Sequence, residues 1–289
     1  MNTLILGSGF GLYGYLPAIY KISKNIFLNT KYEKKIKNRA ELKKFLKKIT
    51  WYNEKKLTLK KIDYLIIAQN PQKQDLNLRK YVKIYRPKHV FLEKPISINP
   101  SSSIKLIEFL QKEKIKFSVG FLFKYIAWHN YIRRRLTRNQ NYKIIWNIKY
   151  NSENSLWKYT HSLGGGLIRF YSIHFIRIFY DLKFFKINKI TTKKNFCYFD
   201  LSDKNNNNMI LEVKFSKINR FYIEHNKKNC YDSVNPFLKK INKKIDPRIS
   251  VLYKYINDVI NNPKLNYKYE KQFILFWDKL EKKNGNKNI

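Results

Sequence analysis

A glycine-rich segment near the N-terminus, GSGFG at positions 7–11, has the composition of a phosphate-binding loop. It follows a short apolar run and precedes residues with helical spacing. In such a strand–turn–helix unit Gly7 permits the tight turn, and Gly9 lets the backbone approach a pyrophosphate at the helix N-terminus. The third glycine is Gly11, and Leu12 fills the place that it has in the GxGxxG pattern. The motif therefore predicts dinucleotide binding, with a purely structural turn as the alternative.

A second motif, Glu93-Lys94-Pro95, directly follows the apolar segment HVFL. The carboxyl ends of parallel strands face the ligand crevice of an open sheet, so Lys94 is expected to project toward bound cofactor. A lysine there can hydrogen-bond a reacting hydroxyl or carbonyl and stabilise developing negative charge. Because the chain has 60 Lys and Arg residues, a solvated surface lysine is the alternative.

Three glycines at positions 164–166 precede an apolar helical pattern that contains His174. The glycines allow a close backbone approach or a sharp bend before the helix. His174 could exchange a proton with a substrate hydroxyl during hydride transfer, or it could be a core histidine with its hydrogen bonds satisfied.

The end of the second predicted strand bears on the choice of cofactor. An NAD site usually has Asp or Glu there to accept hydrogen bonds from the ribose hydroxyls. This chain has Asn29, Thr30 and Lys31, with no carboxylate before Glu33. Since Thr30 and Lys31 could receive a 2′-phosphate, the segment slightly favours NADP(H), and the alternative is that Asn29 serves NAD.

The elements that must position these residues fall into two patterns. Apolar strand-like runs alternate with helical patterns as far as position 120, including a helix over 40–49, which predicts a doubly wound parallel sheet. Residues 121–289 instead predict an α+β domain, with helices over 125–138, 167–179, 249–261 and 268–282 and strands at 143–150 and between 184 and 225. We therefore predict an α/β protein with a Rossmann domain at 1–120 and an α+β domain at 121–289.

The composition is that of a globular protein: 44% of the 289 residues are hydrophobic and 16% are aromatic. The net charge is +40, and Lys is spread over nearly every segment together with much Asn, Ile, Tyr and Phe, a mixture typical of an AT-rich coding sequence. The alternative is a polyanionic partner or a strongly anionic substrate, although no nucleic-acid-binding motif is present. Cys197 and Cys230 are too few for a disulfide framework and too far apart for a zinc motif, so no metal site is predicted. No signal peptide or membrane span is recognisable, and we expect a cytoplasmic protein.

Taken together, these segments resemble one family, the Gfo/Idh/MocA oxidoreductases, named after glucose–fructose oxidoreductase, inositol dehydrogenase and a rhizopine-catabolism protein. GSGFGLYGYLPAI is similar to the family's opening GxGFG…H-x-P-A, with Tyr15 in place of the histidine. IIAQNP resembles the loop after the family's third main strand, and FLEKPIS resembles its EKP signature. The family's WK…GGG…H pattern is matched by Trp157, Lys158, the glycines at 164–166 and His174. The resemblance spans nearly the whole chain.

The resemblance implies a role for each matching residue. Lys94 and His174 become the catalytic candidates, with Lys94 steadying the substrate oxygen and His174 handling its proton. Lys124, where the family usually has an arginine, and Trp157 join His174 as candidate substrate-binding residues. The second domain is implied to be an open, mostly antiparallel sheet that forms homo-oligomer contacts. The predicted cofactor-binding residues are Gly7, Gly9, Phe10, Gly11, Asn29, Thr30, Lys31, Ala68, Asn70, Glu93 and Lys94.

Three departures from the family pattern surround His174. Phe170 holds the place of a common aspartate, Ser172 replaces the usual glycine, and Arg177 replaces a second common aspartate. On a helix, residues 170 and 174 lie on one face, so the carboxylate that would orient the imidazole is missing.

The sequence as a whole predicts an NAD(P)-dependent oxidoreductase acting on a hydroxyl or carbonyl carbon of a sugar or sugar derivative, nucleotide-linked sugars included. The cofactor would be NAD or NADP, and the partner would be a small sugar-type substrate, with no specific nucleic acid and no membrane. The alternative is a non-catalytic family member that binds dinucleotide or sugar as a sensor or assembly protein.

Overall fold

The structure is a computed structural model that describes residues 1–53, 61–150, 156–237, 246–263 and 265–285. Its chain divides into two compact units. The first comprises Met1–Ser97, Lys105–Gly120 and Asn242–Tyr267, and the second comprises Ile98–Ile104, Phe121–Ile241 and Lys268–Ile289, as far as these residues are described.

The first unit is built on a parallel sheet, which confirms the predicted Rossmann fold. Its strands are β1 (Asn2–Leu6), β2 (Asn25–Asn29), β3 (Ile49–Tyr52), β4 (Tyr64–Ile67), β5 (His89–Leu92) and β6 (Lys116–Val119). Their order is β3-β2-β1-β4-β5-β6, and every neighbouring pair is parallel. The order reverses between β1 and β4, which is where ligands bind in sheets of this type.

Helices connect these strands. A helical turn, Gly11–Tyr15, leads into α1 (Leu16–Ile19), and α2 (Glu33–Lys37), α3 (Ala40–Lys43), α4 (Pro71–Tyr85) and α5 (Pro100–Lys112) follow. The predicted helix over 40–49 is wrong in its second half, because α3 ends at Lys43 and Ile49 begins β3. Ile49 pairs with Ile26 of β2, so strand pairing outweighs the helical spacing of a segment whose Ile, Thr and aromatic residues favour strands.

The second unit contains an open, mostly antiparallel sheet, as predicted. Its elements are α6 (Ala127–Arg135), β7 (Asn141–Lys149), α7 (Ile173–Asp181), β8 (Lys186–Lys193), β9 (Phe196–Ser202), β10 (Asn208–Ser216), β11 (Arg220–His225) and β12 (Lys228–Ser233). The order is β12-β11-β7-β10-β9-β8, with β10 and β7 parallel and the other pairs antiparallel. Alternate residues of β9 and β10, among them Phe199, Leu211 and Val213, are buried, so one face of these strands belongs to the core.

Two long helices follow the second sheet, α8 (Arg248–Asn261) and α9 (Tyr267–Gly285). Although it follows the second unit in sequence, α8 belongs to the first, where the Tyr255 hydroxyl donates a 2.7 Å hydrogen bond to Ser118 Oγ on β6. From Lys268 onward α9 belongs to the second unit.

Two features are absent from the described ranges. None of the helices there combines the length and hydropathy required to cross a membrane. The same part of the chain contains no group of three or more His, Cys, Asp or Glu residues arranged to hold a metal ion.

Candidate functional site

In the glycine loop after β1, Gly7 is tightly packed against the protein, whereas Gly9 borders open space. Gly7 has φ +132°, and a Cβ atom there would lie 2.2 Å from the carbonyl oxygen of Ala68, just beyond β4. Only glycine fits that position without moving the neighbouring strand. A Cβ atom on Gly9 would meet no protein atom within 4 Å, so the backbone at Gly9 borders open space that a ligand could enter.

Phe10 is fixed in place within this loop. Its ring lies against Gly14, where a Cβ atom would be 2.2 Å from the ring, and it packs edge to face on Tyr15 at 5.4 Å between centroids. The guanidinium of Arg248 lies 3.9 Å from the centroid of the Phe10 ring. Asp246 holds that guanidinium through bonds of 2.9 Å to Nε and 2.6 Å to Nη2. A cation from α8 is thereby placed beside the glycine loop.

The predicted ribose-binding segment forms a capped turn at the end of β2. The Asn29 side chain accepts a 2.9 Å hydrogen bond from the Lys31 backbone amide and caps the turn Thr30–Tyr32. One turn later, Lys35 Nζ donates a 2.8 Å hydrogen bond to the carbonyl oxygen of Ser8. The end of β2 and the glycine loop are therefore adjacent, with a lysine between them that no sequence motif distinguishes.

Ala68 and Asn70 follow β4 on the other side of the glycine loop. Besides lying against Gly7, Ala68 has its Cβ 3.5 Å from the position that a Cβ on Gly11 would take. Asn70 caps α4, because its side chain accepts a 2.9 Å hydrogen bond from the Lys73 backbone amide. The structure thus gives both residues a local packing or capping role next to the predicted cofactor site.

One buried side chain, Gln74, hydrogen-bonds the backbone of the Glu93-Lys94-Pro95 segment. The peptide bond before Pro95 is cis. Gln74 of α4 donates from Nε2 to the carbonyl oxygens of Glu93 at 2.8 Å, Pro95 at 3.2 Å and Ile96 at 3.0 Å. Its Oε1 accepts a 2.9 Å hydrogen bond from the Glu93 amide. Gln74 is fully buried, so these bonds fix the backbone on both sides of Lys94.

The carboxyl group of Glu93 is part of the same arrangement. The hydroxyl of Tyr15 donates a 2.7 Å hydrogen bond to Glu93 Oε1. Burial raises the pKa of Glu93, whereas the Tyr15 hydrogen bond and the cations of Lys94 and Arg248 act in the opposite direction. Tyr15, recognised in the sequence only as a replacement for the family's histidine, is therefore the direct partner of the glutamate that precedes Lys94.

In the second unit, His174 lies on α7 with only 5% of its surface exposed. Its imidazole stacks on the Phe123 ring at 4.2 Å between centroids with an interplanar angle of 20°, and Phe121 packs edge to face on it at 6.2 Å. Lys124, next to Phe123 in the turn Leu122–Tyr125, is exposed and has its Nζ 4.7 Å from the Tyr125 ring centroid.

The three glycines before α7 bring Trp157 and Lys158 against the residue that replaces the family's aspartate. A Cβ atom on Gly165 would lie 1.9 Å from the Trp157 carbonyl oxygen, so a glycine is required there. The Trp157 ring packs edge to face on Phe170 at 5.1 Å, and Lys158 Nζ lies 5.8 Å from the Phe170 ring centroid. An aromatic contact therefore occupies the position where the family commonly has an aspartate.

The other two departures differ in their contacts. Ser172 is fully buried, and its hydroxyl has no hydrogen-bond partner within the described residues. Arg177 pairs with Glu270 at 2.7 Å and with Asp181 at 2.8 Å, and its guanidinium lies 4.9 Å from the Phe273 ring centroid. A cation at position 177 thus ties α7 to α9.

Sequence reasoning missed three residues that organise these surroundings: Gln74, Arg248 and Arg169. Gln74 and Arg248 come close to the glycine and EKP segments only through folding, and no local motif distinguishes them. Arg169 lies between the glycines and His174, and it bridges Glu281 at 2.9 Å and the carbonyl oxygens of Ile98 at 2.9 Å and His161 at 3.1 Å.

Comparison with protein families confirms the resemblance for the first part of the chain. Residues 1–121 match the Gfo/Idh/MocA model, which describes an oxidoreductase family with an NAD-binding Rossmann fold. No curated protein sequence matches the chain.

Solved structures share the fold over nearly the whole chain. The WlbA (WbpB) dehydrogenase from Thermus thermophilus, in complex with NAD and UDP-GlcNAcA, has a TM-score of 0.67 at 10% identity and covers 96% of this chain and 93% of its own. A dehydrogenase (MviM) from Clostridium difficile has a TM-score of 0.67 at 17% identity and covers 99% of this chain and 98% of its own. The UDP-N-acetylglucosamine 3-dehydrogenase GnnA from Acidithiobacillus ferrooxidans has a TM-score of 0.64 at 13% identity and covers 97% of this chain and 96% of its own. At such identities the likeness concerns the fold alone.

Proposed function

We propose that this chain, whose residues 1–121 match the Gfo/Idh/MocA oxidoreductases, is a nicotinamide-dependent dehydrogenase or reductase acting on a hydroxyl or carbonyl carbon of a sugar-type substrate. The observation that carries the proposal is the first unit's pairing of an open glycine loop with a rigidly held EKP segment. Gly9 borders open space, and Gln74 fixes the backbone around Lys94.

The residues around the glycine loop fit a dinucleotide. Gly7, Gly9, Phe10 and Gly11 would hold the pyrophosphate, and the segment from Asn29 to Lys31 would hold the adenosine ribose. The bound cofactor supplies the hydride chemistry, while the protein supplies binding, orientation and electrostatics.

We assign the acid–base and electrostatic work to two side chains of this protein. Lys94 would hydrogen-bond the substrate oxygen and stabilise the negative charge that develops on it. His174 would take the hydroxyl proton in oxidation and return it in reduction, which a histidine can do near neutral pH. Lys124 and Trp157 are proposed to contact the substrate.

Sugar-type substrates are supported by the similar structures. WlbA was solved with UDP-GlcNAcA, and GnnA is named for UDP-N-acetylglucosamine. We therefore include nucleotide-linked sugars among the candidate substrates. We also propose that the protein acts in the cytoplasm. It would form a homo-oligomer through the sheet of the second unit, and light scattering after gel filtration tests this oligomeric state.

The cofactor is NAD or NADP in this proposal. The family description and the WlbA complex support NAD, and nothing in the comparisons supports the preference for NADP that Thr30 and Lys31 suggested. That preference stays a prediction, with its own test below.

The deciding experiment measures nicotinamide reduction or oxidation at 340 nm with a panel of sugars and sugar nucleotides. Lys94→Ala and His174→Asn are each expected to lower kcat by at least about 100-fold, the range of one acid–base or electrostatic group. Lys80→Ala, which removes an exposed lysine of α4 in the same unit as Lys94, is the matched control and should leave kcat unchanged. Wild-type kcat in both site variants would disprove the catalytic assignment.

A second candidate function is a non-catalytic dinucleotide or sugar sensor. The contact between Phe170 and Trp157, at a position where the family commonly has an aspartate, favours it. Calorimetric binding of cofactor and sugar nucleotide without turnover of any bound ligand would support the sensor over the enzyme.

A further inference from the structure

The second unit contains a cavity of about 680 Å³ whose walls come from the Gly166–Arg169 stretch, the β8–β9 hairpin, α9 and residues 99–101. This volume falls within the roughly 300–1,000 Å³ of small-molecule sites. As far as the described residues define its walls, neither His174 nor Phe170 lines it. The cavity is thus a separate feature from the proposed catalytic residues.

Two of the cations in the walls are neutralised by the two wall carboxylates. Arg169, with 12% of its side chain exposed, forms a bidentate ion pair with Glu281. Trp277 Nε1 donates a further 2.8 Å hydrogen bond to the same carboxylate. Lys282 pairs with Asp278 at 2.5 Å. Neither carboxylate is therefore available to balance a further positive charge.

Lys193 and Lys194 supply that further charge. They are neighbours at the tip of the β8–β9 hairpin, both exposed, and both line the cavity. Across the described ranges, no carboxylate lies within ion-pair distance of either lysine. Because both lysines line the same cavity, an anion bound there would be attracted by both positive charges.

The remaining polar walls suit the uncharged part of a ligand. Burial, reinforced by the charge of Arg169, lowers the pKa of His161, so its imidazole is neutral at pH 7 and can exchange hydrogen bonds without adding charge. Tyr159 and Thr192 contribute hydroxyl groups to the same walls.

We infer that this cavity binds a phosphate-bearing small molecule, with Lys193 and Lys194 as the phosphate contacts. Lysine is a common phosphate ligand because it presents a compact point charge, and the two wall lysines match the charge of about −1.5 to −2 on a phosphate monoester. The proposed dehydrogenase activity does not require this site, which would serve an effector or the phosphate-bearing part of a larger ligand.

The test is calorimetric titration of the full chain with inorganic phosphate, pyrophosphate and uridine diphosphate at an ionic strength of about 0.15 M, where general attraction to a basic surface is screened. The double variant Lys193→Ser/Lys194→Ser removes two exposed hairpin charges. The matched control Lys186→Ser/Lys189→Ser removes two exposed charges from the same strand, β8, outside the cavity. Thermal melting confirms that both variants fold.

We expect the hairpin variant to weaken pyrophosphate binding at least tenfold and the control variant to change it less than twofold. Tighter binding of uridine diphosphate than of pyrophosphate would identify a nucleotide as the ligand, and equal binding would identify the phosphate groups alone. Equal weakening in both variants, or no measurable binding by the wild type, would overturn the proposal. Cofactor titration of the same variants keeps this outcome separate from the proposed dehydrogenase function.

Discussion

Two substitutions in the glycine loop should separate the folding role of the loop from its binding role. Gly9→Val places a side chain where no protein atom lies within 4 Å. Since φ of Gly9 is also outside the left-handed region, the free energy of unfolding should change by no more than about 0.5 kcal/mol. Gly7→Ala instead places a Cβ atom 2.2 Å from the Ala68 carbonyl oxygen at φ +132°.

Gly9→Val should affect cofactor binding, whereas Gly7→Ala should affect the free energy of unfolding. Gly9→Val would displace the pyrophosphate and remove about two charge-assisted hydrogen bonds of roughly 1.5 kcal/mol each, which weakens cofactor binding by at least about 100-fold. Gly7→Ala combines backbone strain of roughly 1–3 kcal/mol with a steric clash, so it should destabilise the first unit by about 2–4 kcal/mol. For a unit of this size that corresponds to a fall in Tm of roughly 5–15 °C.

Calorimetric titration with NAD and NADP measures the binding, and thermal melting without ligand measures the stability. Gly9→Val should melt with the wild type and fail to bind, and Gly7→Ala should melt early. If Gly9→Val binds cofactor as tightly as the wild type, the dinucleotide does not occupy this loop. If Gly9→Val melts early, the space beside Gly9 is not open.

Three further predictions concern the same unit. Gln74→Ala removes four hydrogen bonds to the backbone around Lys94, so it should lower the free energy of unfolding by about 2–4 kcal/mol and also lower kcat. An unchanged midpoint of urea unfolding would contradict this. Because burial raises the pKa of Glu93 above its ordinary value of 4.5, its contribution to stability is present below that value and lost as pH rises through the folded-state pKa. Glu93→Gln should flatten the dependence of unfolding free energy on pH in that window, and a dependence identical to the wild type would show that Glu93 is not its source. Lys31→Ala should weaken NADP binding about tenfold and leave NAD binding unchanged if Lys31 receives the 2′-phosphate, whereas equal losses for both cofactors, or a wild-type preference for NAD, would refute that role.

The local sequence was sufficient for the Rossmann sheet because its signals are local. Buried parallel strands are continuous apolar runs, and a glycine loop directly after the first of them is typical of a dinucleotide-binding fold. One error, the helix over 40–49, arose where apolar spacing suited a helix but Ile49 instead pairs with Ile26 on a neighbouring strand. Strand pairing of that kind depends on residues far away in the sequence.

What the sequence by itself determined was the identity of the chemical groups: the glycine loop, Lys94, His174 and the replacement of an aspartate by Phe170. Only the tertiary structure decided what surrounds them. Gln74 is 19 residues from Glu93 and Tyr15 is 78 residues away, yet both hold that glutamate through hydrogen bonds. Such contacts have no local signature, because a buried polar group needs a partner in space and the chain can supply it from any element that folds nearby.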